Sequence, residues 1–545
     1  MENFDIVVVG AGSSGCIVAN QLVTKTKYKI LLIEAGPSDN NLIIKVPLGY
    51  GMTFYNKKLN WNFYSIQQKN LFNREIYFPR GKVMGGSGSI NAMVYTRGIK
   101  SDYQNWNNDN NNLWSWQNIK FTYEEIEKKI SNKDYSNTKN KIFVNDVSDS
   151  HHSISKYFFD ASMELGININ KNLTTDMMDQ VGHYNINTKN GYRYTSSDAF
   201  IKPILKEQNL KILKNTIVKK INFKNKTISE IELLNNGKKI LIKPNIGAIL
   251  CSGAIMTPHI LMHSGIGPAE HLKKFNINVI VDSPNVGKNL QDHIGLDYGY
   301  IANVETLNKQ LGSWKGRVKS IAQYLYNQTG PLALSINQCG GYLNWKSRDN
   351  VPNIQIYFNP LSYSITYKNK RPLLKTDKFN GFVIGFNPCR PKSKGSVLLS
   401  SNNFNQPPVI DPNYLDHEED IYNLKCAFDI AKKYSNTKNL NYIIKQPINI
   451  DILKSTDEDL INHFKMNANS VYHPCCTCRM DNNIKLGVVS DKLKVHGINN
   501  LWITDASIFP NITSGNINAP VMMVAHRSSQ IIINELNEKN ENHKT

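Results

Sequence analysis

The stretch FDIVVVGAGSSG, residues 4–15, decides the fold. Phe4–Val9 is mostly apolar and β-branched, the composition of a strand buried on both faces of a parallel sheet. Gly10, Gly12 and Gly15 follow at once in the spacing GxGxxG, and Cys16 to Val23 carries apolar positions at helical spacing. A second strand is predicted from Tyr28 to Ile33; it ends at Glu34, 19 positions after Gly15. The whole reads as a βαβ unit that binds a dinucleotide. Gly10 permits the tight turn, Gly12 lets the backbone approach a pyrophosphate, and Gly15 lets the helix pack on its strand. The helix start, with Ser13 and Ser14, offers free N–H groups and a positive dipole end to phosphate. Glu34, followed by Ala35, is placed to accept hydrogen bonds from ribose hydroxyls, and its charge would repel a 2′-phosphate. The unit alone does not separate FAD from NAD.

Residues 79–98, PRGKVMGGSGSINAMVYTRG, hold too much glycine for a regular helix or a packed strand. They suit a backbone lying close to a flat or charged ligand, and Ile90, Met93 and Val94 argue against a fully exposed loop. Strands of a hairpin-rich sheet are predicted over Lys211–Ile221 and Thr227–Leu234. A buried strand follows at Ile246–Leu250, then a helix reaching His263. Residues 284–293, PNVGKNLQDH, form a polar turn. Between Asn303 and Tyr472, strand-like stretches at Ile354–Phe358, Phe382–Phe386 and Ser396–Leu399 and a helix at Glu418–Tyr434 predict an antiparallel sheet with covering helices. The expected fold is therefore an α/β, Rossmann-like FAD-binding or NAD-binding domain plus an α+β substrate domain. Lys100–Val147 and Asn534–Thr545 are rich in Asn and Lys and read as a surface insertion and a tail.

At 545 residues the chain exceeds one core, and 40% hydrophobic with 20% charged residues is a globular composition. The net charge of +20 comes from 64 Lys and Arg against 44 Asp and Glu. The basic residues are dispersed, with no run of five and no nucleic-acid module, so no nucleic-acid partner is expected. No transmembrane segment is expected either: the best stretch, Ala248–Ile266, is broken by Pro258, His259 and His263. Eight scattered cysteines do not make a disulfide framework, and with no basic leader the expected location is cytoplasmic. Cys475, Cys476 and Cys478 crowd near His473 but lack a second ligand pair, so no metal is expected.

The last quarter holds the catalytic candidates. His473 sits before Pro474 in an irregular segment. Leu501–Thr504 reads as a strand ending at the acid Asp505, followed by Ala506. Thr513-Ser-Gly-Asn516-Ile-Asn518 then caps an apolar helix from Val521, a second anion-friendly helix start.

Seven blocks in order complete the reading: VVVGAGSSG, LLIEAG, RGKVMGGSGSINAMVYTRG, SGAIMTPHILMHSGIGP, PNVGKNLQDH, YHPCCTCRM and LWITDASIFPNITSGNINAP. With these the chain resembles the glucose–methanol–choline (GMC) flavin oxidoreductases, close to their choline dehydrogenase-like branch, from about residue 4 to 535. The resemblance implies FAD, with adenosine ribose on Glu34 and Ala35 and pyrophosphate on Gly10, Gly12, Ser13, Ser14 and Gly15. It implies that the loop holding Val83, Gly85, Ser87 and Asn91 runs along the flavin, that Val218 meets the adenine side, and that Asp505 and Ala506 approach the pyrophosphate and ribityl chain. His473 matches the family's active-site histidine and Asn516 its second catalytic position. The implied domains are an FAD-binding region at 4–297, a substrate segment at 298–387, a region at 388–530 that completes the FAD domain, and a polar tail at 535–545.

The sequence departs from many members at Met84 and Gly88, where they hold Leu and Ser. Ile90 stands where some tether FAD through a His, so the FAD is expected to be non-covalent. The implied reaction is oxidation of an alcohol CH–OH to an aldehyde or ketone by hydride transfer to flavin. His473 acts as base, Asn516 steadies the oxyanion, and an unidentified electron acceptor follows. Choline dehydrogenase proper is an alternative, but Gln338 aligns with an acid of choline-specific relatives, which favours a neutral alcohol; Asp297 or Glu305 could take that acid's place. An NAD-linked dehydrogenase would lack the later blocks. A hydroxynitrile lyase or a binding-only flavoprotein would share them.

Overall fold

The computed structural model describes residues 3–106, 112–130, 139–170, 173, 178–368 and 371–542. At its centre is a five-stranded parallel sheet in the order Leu210–Leu213, Ile30–Ile33, Phe4–Val9, Pro244–Leu250, Leu501–Ile503. Ile6, Val7, Val8, Leu31, Leu32, Ile249 and Leu250 lose all contact with solvent. Each such side chain contributes roughly 1.5–3 kcal/mol of burial free energy, which is why these strands read as unbroken apolar runs. The first helix, Ser13–Lys25, packs on this sheet and on the last helix, Asn518–Asn542.

A second sheet of eight strands runs Ile444–Pro447, Ile294–Ala302, Gly381–Pro388, Ile354–Asn359, Cys339–Leu343, Gln180–His183, Asn168–Ile169, with Asn469–Ser470 pairing the second of these. All its pairings are antiparallel except the last, at Asn168–Ile169. It is the expected antiparallel substrate sheet, covered by the helix Glu418–Asn436. Its strands also come from residues 168–183 and 444–447, outside the 298–387 segment.

Three sequence expectations need correction. Lys211–Ile221 is not one strand. Leu210–Leu213 joins the parallel sheet, Asn215 turns the chain in the left-handed region, and Thr216–Lys224 starts a separate three-stranded sheet with Thr227–Asn235 and Lys238–Ile242. The described part of Lys100–Val147 is not a surface insertion: Trp106, Trp114, Ile119, Tyr123, Ile126 and Phe143 are buried, while residues 107–111 and 131–138 lie outside the described residues. The expected tail from Asn534 is helical to Asn542 and buries Leu536; residues 543–545 lie outside the described residues. A few large apolar residues anchor the first segment and Leu536 anchors the second, although the average composition of both is polar.

Candidate active site

A cavity of about 1630 Å³ lies between the two sheets. Ligand sites for one small molecule run roughly 300–1,000 Å³, so this one has room for a cofactor and a substrate together. Its nucleotide end is lined by Gly10, Gly12, Ser13, Ser14, Glu34, Ala35, Ser87, Asn91, Val218, Asp505 and Ala506, all singled out by the sequence. Gly15, Val83 and Gly85 do not line it. A Cβ on Gly15 would sit 1.8 Å from the Gly10 carbonyl oxygen, so Gly15 serves helix-to-strand contact. Val83 packs with Ile44 and Leu59, and the Gly85 N–H donates to the Ala11 carbonyl at 2.7 Å.

The nucleotide end fits FAD. Gly12 stands at the N-terminus of the first helix, and Gly12, Ser13 and Ser14 line the cavity there, the end of a helix that suits an anion. A Cβ on Gly12 would find only the Gly86 Cα, at 3.7 Å, and one on Gly86 would come within 2.6 Å of the Gly12 Cα. Two backbones thus meet with no side chain between them and a ligand. Glu34 accepts from the Ala11 N–H at 3.0 Å and the Gly36 N–H at 2.9 Å, which fixes its carboxyl at the cavity wall. Burial pushes its pKa up to about 7. Asp505 is tied to the helix Gly253–His263, accepting from the Gly253 N–H at 2.8 Å and the Thr257 hydroxyl at 2.6 Å.

At the other end, His473 and Asn516 come together. The Asn516 Nδ2 stands 3.1 Å from His473 Nε2, and both residues line the cavity. The polar turn at 284–293 holds the histidine in place. Asp292 accepts from the His473 N–H at 2.6 Å, and Gln291 pairs with Cys475 backbone to backbone. Tyr472, just before, takes a left-handed conformation, and Arg80 donates to its carbonyl at 2.6 Å. The loop carrying Asn516 is fixed by Asp102, which accepts from the Ser514 N–H and hydroxyl, both at 2.9 Å, and from the Ile99 N–H. Asp102 belongs to the segment expected to be a surface insertion. Gly515, with φ of +80°, makes the turn into Asn516; a Cβ there would meet the Tyr342 hydroxyl at 2.1 Å.

A residue not singled out by the sequence sets the tautomer of His473. His293 Nδ1 lies 2.9 Å from His473 Nδ1, and His293 Nε2 lies 2.7 Å from the Cys389 carbonyl oxygen. Burial lowers the His293 pKa to about 4, so this ring is neutral with one N–H. A carbonyl only accepts, so that hydrogen is on Nε2 and Nδ1 of His293 presents a lone pair. His473 Nδ1 must then donate. Burial first, then His293 and Arg80, holds the His473 pKa well below its ordinary value, so His473 is neutral too. Its lone pair is therefore on Nε2, facing Asn516 and the cavity. The Asn516 Oδ1 has no partner.

Two further expectations change. Gln338 does not line the cavity; its Oε1 accepts from the His152 N–H at 2.8 Å. Glu305 is exposed and pairs with Lys309. Asp297 does line the cavity, held by the hydroxyls of Tyr357 at 2.8 Å and Tyr363 at 2.5 Å. Strand alternation explains the difference: Asp297 points from its strand into the cavity, while Gln338 precedes the strand Cys339–Leu343 and turns away. Cys475, Cys476 and Cys478 are buried, and among the described residues no group of three or more His, Cys, Asp or Glu is placed to hold a metal.

A parallel sheet with a dinucleotide-type glycine turn joined to an antiparallel sheet, with one cavity between them, is the two-part architecture of a flavin oxidoreductase. Family models described as GMC oxidoreductase match residues 4–295 and 391–525, and the chain belongs to that family. It is 33% identical over 538 residues to alcohol dehydrogenase (acceptor) of Pseudomonas putida, covering 98% of this chain and 96% of that one. It is 30% identical to oxygen-dependent choline dehydrogenase of Brucella anthropi, covering 97% and 95%. Among solved structures, formate oxidase is similar with a TM-score of 0.89 at 23% identity, covering 98% and 99%, a likeness of fold alone. The chain is thus an FAD-dependent oxidoreductase of the GMC type, acting on CH–OH donors.

Proposed function

We propose that the protein oxidises a small-molecule alcohol to an aldehyde or ketone, with His473 as the base and Asn516 as its partner. The observation that carries this reading is the pair itself: a neutral imidazole whose Nε2 lone pair lies 3.1 Å from the Asn516 amide on the cavity wall. His473 Nε2 takes the hydroxyl proton. The imidazolium and the Asn516 N–H then steady the oxygen left behind, and the charge on that oxygen weakens the adjacent C–H bond. FAD, when bound, supplies the hydride acceptor. His293 accepts from His473 Nδ1–H, which keeps the His473 lone pair on Nε2 until the proton is taken.

FAD is held without a covalent bond. Ile90 lines the cavity and offers no nucleophile. The ribose goes to Glu34 and the pyrophosphate to the start of the first helix. Residues 388–530 complete the FAD-binding unit and bring in His473 and Asn516. The electron acceptor is oxygen, a quinone or another carrier. The free cysteines fit a reducing compartment such as the cytoplasm.

The test is an anaerobic panel of alcohols added to the purified yellow protein. Bleaching of the flavin band by an alcohol supports the reading. A full panel without bleaching points instead to lyase or binding-only use of the same fold. Acid precipitation should release all the yellow colour; colour kept in the pellet would contradict non-covalent binding.

A further inference from the structure

The helix Trp314–Asn327 is turned inside out. Its buried residues are Ser320 and Tyr324, and the exposed Arg317 beside them donates through Nε to the Leu311 carbonyl at 2.6 Å. Its large apolar residues are exposed: Trp314 is 73% exposed, Val318 59%, Ile321 50% and Leu325 69%. At 100° per residue these four fall within about 60° of one another on the helix. They form one stripe rather than scattered exposed side chains, which would need no explanation. Lys315 and Lys319 are exposed along one edge of the stripe, and Arg317 lies at the other. The helix has no acidic residue. The Lys315 ammonium sits 5.8 Å from the Trp314 ring.

We infer that this helix docks the protein on an anionic lipid bilayer, its apolar stripe entering the headgroup–acyl boundary and its basic edges meeting lipid phosphates. An apolar stripe with tryptophan, edged by lysine, is the composition of a helix that lies in the membrane interface. The charge supports lipid over a second copy of the chain. At +20 two copies repel, whereas an anionic surface attracts. The area agrees. A helix of 14 residues is about 21 Å long and about 10 Å wide, so its outer face offers roughly 200 Å², well short of the roughly 800 Å² per partner of a stable protein interface. The helix also adjoins the catalytic cavity: Arg317, Ser320 and Ile321 line it, as do Leu42 and Met52, which are each 69% exposed. Among the described residues no helix is long and apolar enough to cross a membrane, so the contact is at the surface.

The holoenzyme is tested by co-sedimentation with vesicles of phosphatidylglycerol and phosphatidylcholine, and with vesicles of phosphatidylcholine alone. It should pellet with the anionic vesicles and bind the neutral ones at least tenfold more weakly. The triple variant W314S/V318S/L325S, at positions that do not line the cavity, should lose at least tenfold in binding while keeping its flavin. K315E/K319E, which leaves the apolar stripe whole, should lose binding to the anionic vesicles by a similar factor. A holoenzyme that stays in the supernatant, or variants that bind like the parent, would overturn the inference. So would a triple variant that changes oligomeric state in sedimentation velocity with vesicle binding unchanged, which would make the stripe a contact between copies.

Discussion

His293→Phe separates the position of the base from its presence. The substitution keeps an aromatic ring but removes the lone pair that accepts from His473 Nδ1–H at 2.9 Å, together with the N–H that faces the Cys389 carbonyl. The tautomer with its lone pair on Nε2 then holds a buried, unpaired N–H. An unsatisfied buried donor costs about 1–3 kcal/mol, so the reactive tautomer should be disfavoured by about five- to 150-fold. That factor passes directly into the rate of proton removal. The assay is anaerobic stopped-flow reduction of bound flavin by the best alcohol of the panel, with flavin content measured on the same sample. We expect kcat/KM to fall within that range at unchanged flavin content. His293→Gln should recover part of the loss, because its amide can donate to the Cys389 carbonyl and accept from His473. A phenylalanine variant within twofold of the parent, or a glutamine variant no better than it, would refute the tautomer argument.

Three further outcomes are expected. Gly12→Val should fold but yield colourless protein, since its side chain enters space left open to the ligand; Gly15→Ala should lose stability as well as colour, because its Cβ meets the Gly10 carbonyl oxygen at 1.8 Å, and thermal melting with flavin spectra separates the two. Asn516→Ala should lower flavin reduction by roughly one to two orders of magnitude, one donor being lost while the imidazolium remains, as read by stopped flow. The pH profile of kcat/KM should be flat near neutrality. His473 acts only when neutral, its neutral fraction falls as pH drops through its pKa, and burial holds that pKa well below its ordinary 6.5, so the acid limb should lie well below the ordinary histidine range.

The βαβ unit was legible because its strands are buried on both faces and its glycine spacing has a steric cause at each position. His473 and Asn516 were legible only through the order of blocks, since neither residue type is unusual alone. The role of Asp102 was hidden by averaging. The segment around it is polar by composition, yet the helix Trp116–Ile126 buries Ile119, Thr122, Tyr123 and Ile126, a helical spacing that could have shown a core face. The break at Asn215 was visible as a turn residue inside an apparent strand. His293 lay in a turn recognised as polar, but a tautomer set by two rings and a carbonyl 96 residues away is a property of three dimensions. The same holds for Asp297 and Gln338, since sequence does not say which of two polar residues faces the cavity.

In the proposed reaction His473 removes the alcohol proton. This step is tested most directly by His473→Ala, compared with the parent at equal flavin content in anaerobic single-turnover reduction. The rate should fall by roughly two to four orders of magnitude, the range for a lost general base, with FAD still bound. Near-native reduction in the alanine variant would contradict it.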